Sequence, residues 1–164
     1  MPSRSDAFWQ KAGILFGVGD LPIMPGTYAT FIAAVILIPI SFAGDIARPA
    51  ILGLLVVLCS VAGYWAVPVA ERHYDRKDPQ PYVLDEMAGY FLSVIFLPDT
   101  VPLWTILIAS FFLFRIFDVA KPFPINGLQC LPGALGVVAD DLMAGIYTNL
   151  CIQLFVHVIL PRIT

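Results

Sequence analysis

Charge is scarce in this chain of 164 residues: Asp, Glu, Lys and Arg make up 13% of it, against about 25% in an ordinary soluble domain. With 59% hydrophobic residues and a mean hydropathy of +0.85, that scarcity excludes a water-soluble globule, a disordered chain and a charge-rich coiled coil. Nine basic residues and a net charge of −3 leave no basic stripe, so nucleic acid is excluded as a partner: backbone phosphates are bound by clustered Lys and Arg. Histidine occurs twice and cysteine three times. Cys59, Cys130 and Cys151 are odd in number and stand at no metal-ligand spacing, so they read as small core residues, neither disulfides nor zinc ligands. Solenoid repeats and low-complexity tracts are also missing.

What the sequence does have is long apolar runs. A spanning helix needs about 20 mostly apolar residues, and runs bounded by Pro, Gly or charge predict five spans at residues 26–43, 49–70, 81–97, 101–117 and 142–160. The third is short, carries two acids near its start, and is the one expected to insert only partly. Residues 7–16 set Phe8, Trp9, Ile14, Leu15 and Phe16 beside Lys11, which reads as an interfacial helix. A polar start and several later spans argue against a cleavable signal peptide. The expected fold is therefore all-α: one membrane-embedded domain over residues 1–164, with an interfacial helix and Gly/Pro-rich loop over 1–25 and a bundle of four to five spanning helices over 26–160.

With the N-terminus inside, Arg4, Lys11, Arg72, Arg76, Lys77, Arg115 and Lys121 fall on or near the cytoplasmic side, and only Arg48 and Arg162 fall outside. That asymmetry is the one the positive-inside rule expects, and it orients the chain N-in and C-out.

Twelve residues are acidic, and five of them, Asp85, Glu86, Asp118, Asp140 and Asp141, lie inside or at the mouths of apolar segments. A carboxylate at mid-bilayer costs about 2.5–3.5 kcal/mol even on the lenient insertion scale, so these acids must sit at an interface, meet cations, or both. The orientation drawn from Lys and Arg alone places all five at the cytoplasmic ends of the third, fourth and fifth spans. Capping of helix ends and pairing with Arg115 and Lys121 would account for any single acid. Five acids against two nearby cations instead call for a bound cation, and hard oxygen donors without nearby His or Cys suit Mg²⁺, Mn²⁺ or Ca²⁺.

Two acid segments look alike: Asp85-Glu86-Met87-Ala88-Gly89 and Asp141-Leu142-Met143-Ala144-Gly145 both read D-x-M-A-G at the opening of an expected span. Positions i and i+4 share a helix face, so each Gly leaves the surface beside its Asp bare and lets a neighbouring helix come close. Before the first span, Gly17-Val18-Gly19-Asp20-Leu21-Pro22 and Pro25-Gly26-Thr27 form a loop at which a helix N-terminus could offer free N–H groups to an anion; a tight turn capped by Thr27 is the plainer alternative. Arg115 and Lys121 flank Asp118 as a candidate phosphate clamp, and Pro122 should end the fourth span near Lys121.

Taken together, these segments resemble the phosphatidylglycerophosphatase A family of bacterial membrane phosphatases. Residues 17–27 resemble its G-x-G-x-x-P-x-x-P-G-T block, and Val83-Leu84-Asp85-Glu86-Met87-Ala88-Gly89 its V-x-D-E-x-x-G block. Phe114-Arg115-Ile116-Phe117-Asp118-Val119-Ala120-Lys121-Pro122-Phe123-Pro124-Ile125 resembles F-R-x-x-D-x-x-K-P-x-P-I, followed by Gly136 and the block from Asp140 to Gly145. The departures are Ala29-Thr30, where the family commonly has a G-S pair, and Ala134, where it has a second Gly; neither removes a carboxylate.

The resemblance implies Mg²⁺-dependent hydrolysis of the terminal phosphomonoester of phosphatidylglycerophosphate to phosphatidylglycerol and phosphate, in a bacterial inner membrane with the site on the cytoplasmic side. Asp85, Glu86, Asp118, Asp140 and Asp141 would hold one or two Mg²⁺, while Arg115 and Lys121, with Gly26 and Thr27, would bind phosphoryl oxygens. Adjacent helical acids point about 100° apart, so one member of each pair is open to bridging a second ion or acting as general base. His73 and Asp78, in the polar loop after the second span, are candidates for proton carriage or phosphate contact. The D-x-D-x-T, C-x5-R and paired-His patterns of covalent phosphatases are missing, as is the D-G-x-x-A-R pattern of CDP-alcohol phosphotransferases. The alternative from another class is a small transporter or channel that relays protons or divalent cations through the same acids.

Overall fold

A computed structural model describes residues 4–96 and 100–163. Every regular element among them is helical. Helix α1 (Arg4–Gly13) leads through a 3₁₀ turn (Leu15–Asp20) into α2 (Pro25–Ile40), which ends in a 3₁₀ turn at Ser41–Ala43. Then come α3 (Ala47–Tyr74), α4 (Leu84–Ser93), α5 (Leu103–Ala120), α6 (Ile125–Leu128) and α7 (Ala134–Leu154). A π-helical stretch (Phe155–Ile159) joins α7 to α8 (Leu160–Ile163).

Four segments are long and apolar enough to cross a membrane: Pro25–Ala43, Ala47–Tyr74, Leu103–Ala120 and Ala134–Arg162. Their outer faces carry exposed large side chains such as Phe31, Leu54, Phe112 and Leu150, a cost in water and the natural surface toward lipid.

The third expected span is corrected. Residues 81–83 are not helical and α4 is only ten residues, about 15 Å long, too short to cross alone. Its expected end at Leu97 and the break at Pro98 and Asp99 lie outside the described residues. The carbonyls released where α4 stops are taken up by α7: Asn149 Nδ2 donates to Ser93 O (3.1 Å) and Ile95 O (2.7 Å), and Gln153 Nε2 donates to Phe96 O (2.8 Å). A helix can end at membrane depth only where such partners replace water.

The fifth span is also corrected, because α7 begins at Ala134 directly after Pro132-Gly133, eight residues before the expected start. Asp140 and Asp141 are therefore interior to a helix, about 10 Å from its first residue, instead of at its mouth. Of the three free cysteines, only Cys59 is half-buried; Cys130 and Cys151 are exposed, which corrects their reading as core residues.

The helix ends fall at two opposite ends of the bundle. Gly26 of α2 adjoins Glu86 and Arg115, whereas Leu37 and Ser41 share a cavity with Arg48, Val101 and Leu103 at the other end of the bundle. α4 thus starts at the end bearing the acids, and Val94, directly after it, shares the cavity at the end where α5 starts.

The closest helix pair is α4 with α7. A Cβ on Gly89 would stand 2.5 Å from the Asp141 carbonyl oxygen, and one on Gly145 would overlap the Gly89 carbonyl. Only hydrogen fits at either position, so the two D-x-M-A-G segments cross backbone to backbone. Asp85 meets Asp141 and Ser93 meets Asn149, so the two helices run in the same direction. Behind them, Tyr90 Oη lies 3.0 Å from Ser110 Oγ, with Phe114 edge-on to the Tyr90 ring, which docks α5 onto the pair.

Candidate active site

Side chains from three helices converge at one end of the bundle. The first turn of α4 supplies Asp85 and Glu86, the second turn of α7 supplies Asp140 and Asp141, and the last two turns of α5 supply Arg115 and Asp118. Asp85, Asp140 and Asp141 are buried.

The Gly89–Gly145 crossing sets the central group. With the backbones in contact, one carboxylate oxygen from each of Asp85, Glu86 and Asp141 falls within 4.8 Å of the others. Three hard oxygen donors this close repel one another and match the ligand set of a divalent cation. Glu86 Oε2 is buried and makes no hydrogen bond, which leaves an acceptor aimed into the site.

The two remaining acids bind cations. Asp118 Oδ2 lies 2.7 Å from Arg115 Nη1, and Asp118 also comes within hydrogen-bonding reach of Asp141. Asp140 pairs with Lys121, which caps α5 in the left-handed conformation (φ 42°) just before Pro122, where the sequence predicts the helix to stop. Burial alone would lower the Lys121 pKa, but the hydrogen bond to Asp140 and the fields of Asp140, Asp141 and Asp118 outweigh it and leave it raised. The five predicted acids are therefore brought together with different partners: three face one another and two hold cations.

Arg115 retains a donor to spare. Nη1 is held by Asp118, whereas Nε is buried without a hydrogen-bond partner. The N-terminus of α2 lies against this guanidinium, since a Cβ on Gly26 would clash with Glu86 Oε1 and come within 3.0 Å of Arg115 Nη1. Met24, in the left-handed conformation, is the N-cap, and no side chain caps the helix, which corrects the capping role considered for Thr27. Thr27 Oγ1 is itself buried without a partner. Arg115 Nε, Thr27 Oγ1 and the positive end of α2 thus present unused donors beside the unpaired Glu86 oxygen, and an anion bridged to a cation would satisfy both.

The two further candidates separate. Asp78 lies at the rim, in the field of Lys121 and Asp118, whereas His73 is corrected from the loop to the last turn of α3, where it is exposed and edge-on to Tyr74. Tyr82 escaped sequence reasoning. It is buried with its hydroxyl unpartnered against Gly63 and Val138, and burial, followed by the fields of Asp85, Glu86 and Asp141, raises its pKa well above the ordinary value. A lone Tyr three residues before an acid carries no sequence signal of that placement.

Fold and site together define a polytopic membrane protein with a closed carboxylate centre that faces an arginine and a helix N-terminus. The chain belongs to the Phosphatidylglycerophosphatase A family, whose profile matches residues 12–156, and is accordingly a membrane phosphatase. It is 36% identical over 143 residues to a putative phosphatidylinositol-3-phosphatase of Bacteroides thetaiotaomicron, covering 85% of this chain and 88% of the relative. It is 29% identical over 139 residues to Phosphatidylglycerophosphatase A of Escherichia coli, covering 84% and 77%. With the Haemophilus influenzae protein of the same name it shares 31% over 141 residues, covering 80% and 78%. No solved structure matches the chain significantly.

Proposed function

We propose that the protein removes the terminal phosphate of phosphatidylglycerophosphate, at the cytoplasmic face of a bacterial inner membrane and with Mg²⁺. The observation that carries this reading is the facing of an unused donor pair and an unused acceptor: Arg115 Nε and Thr27 Oγ1 on one side, and on the other Glu86 Oε2 within the group of Asp85, Glu86 and Asp141. The donor set fits a hard divalent cation, with oxygen ligands only and the Glu86 oxygen unpaired. When bound, such a cation neutralises phosphate charge and acidifies water.

The protein's own groups then divide the work. Arg115 and the first turn of α2 hold non-transferred phosphoryl oxygens, and the fork of the guanidinium suits two of them at once. Asp118, paired with Arg115 and adjoining Asp141, fixes the guanidinium in that pose. Lys121, held by Asp140, adds positive charge at the mouth. Water adds to phosphorus, the phosphorus–oxygen bond to the glycerol headgroup breaks, and the departing oxygen takes a proton, which leaves phosphatidylglycerol and inorganic phosphate.

The identity to the Bacteroides relative supports a second substrate of the same chemistry, a phosphoinositide, since both lipids carry a phosphomonoester on a polyol headgroup. Phosphate release from both lipids by one preparation, with and without Mg²⁺, tests the reading. Turnover of the glycerol lipid that depends on Mg²⁺ supports it, and turnover of the inositol lipid alone would replace it.

A further inference from the structure

The end of the bundle that carries the acids has an unequal rim. The end of α3 and the loop after it present Arg72, Asp75, Arg76, Lys77 and Asp78, an ordinary composition for a surface in water. Next to them stand two loops with apolar exposed residues, the first of which also exposes Asp20 where Tyr74 Oη of α3 donates to it at 3.4 Å. Phe16, Leu21, Ile23 and Met24 precede α2, and Phe123 follows α5; Phe16 is 74% exposed, Ile23 83% and Phe123 90%.

Both loops are tied to the site. Met24 caps the helix whose Gly26 abuts Glu86 and Arg115, and Phe123 lies two residues after Lys121, its carbonyl accepting from Tyr147 Oη at 2.9 Å. Phe16, Ile23 and Met24 have φ of 52°, 67° and 57°. Turns with φ > 0 ordinarily use Gly, Asn or Asp, and a β-branched residue there is an outlier, so water-facing loops have no reason to place Ile and Phe at such points. The apolar surface is also continuous with the spans. Below Met24, α2 exposes Tyr28, Phe31 and Val35, and below Phe123, α5 exposes Val119, Ile116 and Phe112. Lipid covers those faces, and the loops extend the same surface upward past the site.

We infer that the two loops form an apolar lip that sinks into the glycerol and upper acyl layer of the leaflet on the side of the site. The mouth then opens beneath the headgroups, and an amphiphile brings its phosphate to Arg115 sideways, past α2 and α5, while the charged end of α3 and the loop after it meet water. Only the nature of the substrate in this inference rests on the proposed phosphatase reading.

The lip is tested in nanodiscs of phosphatidylcholine and phosphatidylglycerol, with an environment-sensitive fluorophore on Ile23→Cys or Phe123→Cys in a background lacking Cys59, Cys130 and Cys151. Asp75→Cys on the charged rim is the reference. Labels at 23 and 123 should be quenched by doxyl groups carried on lipid and shielded from aqueous iodide, with the reverse at 75. Iodide quenching at 23 and 123 equal to that at 75 overturns the lip, and so does shielding from both quenchers, which would mean that a second copy of the chain covers it. In a second arm, Ile23→Asp with Phe123→Asp should slow release from embedded long-chain lipid at least about tenfold and leave a dihexanoyl analogue in water unchanged, because a charge in the acyl layer is expensive. Equal loss on both substrates, or on neither, contradicts sideways access. If the wild type hydrolyses neither, the phosphatase reading fails and the quenching still decides the lip.

Discussion

Replacing Gly145 by Ala tests whether the backbone crossing of α4 and α7 sets the geometry of the acids. The added Cβ would overlap the carbonyl oxygen of Gly89, and the same change at Gly89 would bring a Cβ to 2.5 Å from the Asp141 carbonyl. Carbon and oxygen rest comfortably at about 3.5 Å, so the helices must part by about 1 Å, and neither obstacle is a flexible side chain able to swing away. The three carboxylate oxygens already span up to 4.8 Å, while two ligands on opposite sides of Mg²⁺ stand about 4.2 Å apart. Rotation of the side chains closes the present gap, and a further 1 Å puts Asp85 and Glu86 out of reach of an ion held by Asp141. A misplacement of that size costs about 10²-fold in rate, while the overpacking itself costs about 1–3 kcal/mol of stability. The assay is phosphate release in detergent at saturating Mg²⁺, with near-native thermal unfolding as the check on folding. Gly53→Ala is the control, because its Cβ would meet only Ile95 Cδ1 at 3.8 Å. A folded Gly145→Ala protein within about threefold of wild-type activity would refute the role given to the crossing.

Arg115→Lys should lower turnover by about 10²-fold and leave unfolding temperature nearly unchanged, since a point charge cannot reproduce the guanidinium fork; full activity in the Lys variant would show that charge alone suffices. Asp85→Asn and Asp141→Asn should melt above the wild type in chelator, because each relieves repulsion within the carboxylate group. That order should reverse in excess Mg²⁺, where a wild type at 100 times its dissociation constant gains about 2.7 kcal/mol; differential scanning in both conditions reads the crossover. Asn149→Leu removes the donor to the Ser93 and Ile95 carbonyls and should cost about 1–3 kcal/mol per unpaired group, visible as a lower unfolding temperature in detergent.

The spanning helices were legible because hydropathy and length are local properties: α2, α3 and α5 begin and end within a few residues of their apolar runs. α4 was not, because its end is stabilised by Asn149 and Gln153, more than fifty residues away, and no local pattern shows such a partner. The start of α7 was misplaced because Asp140 and Asp141 read as a boundary, whereas burial among other acids and Lys121 keeps them inside the helix and Pro132-Gly133 is the true break. The gathering of five acids near Arg115 and Lys121 followed from charge placement alone. Their division into a group of three and two ion pairs did not, since it depends on how two helices meet at Gly89 and Gly145. The approach of Gly26 to Glu86 likewise joins segments sixty residues apart.

The central claim is that Asp85, Glu86 and Asp141 form a cation site that serves phosphate release from a membrane lipid. Its most direct test is phosphate release from phosphatidylglycerophosphate by the purified protein, titrated with Mg²⁺ beside the folded Asp85→Asn and Asp141→Asn variants. The account predicts saturable dependence on the metal in the wild type and loss of release in both variants. Undiminished release in chelator, or from either variant, would contradict it.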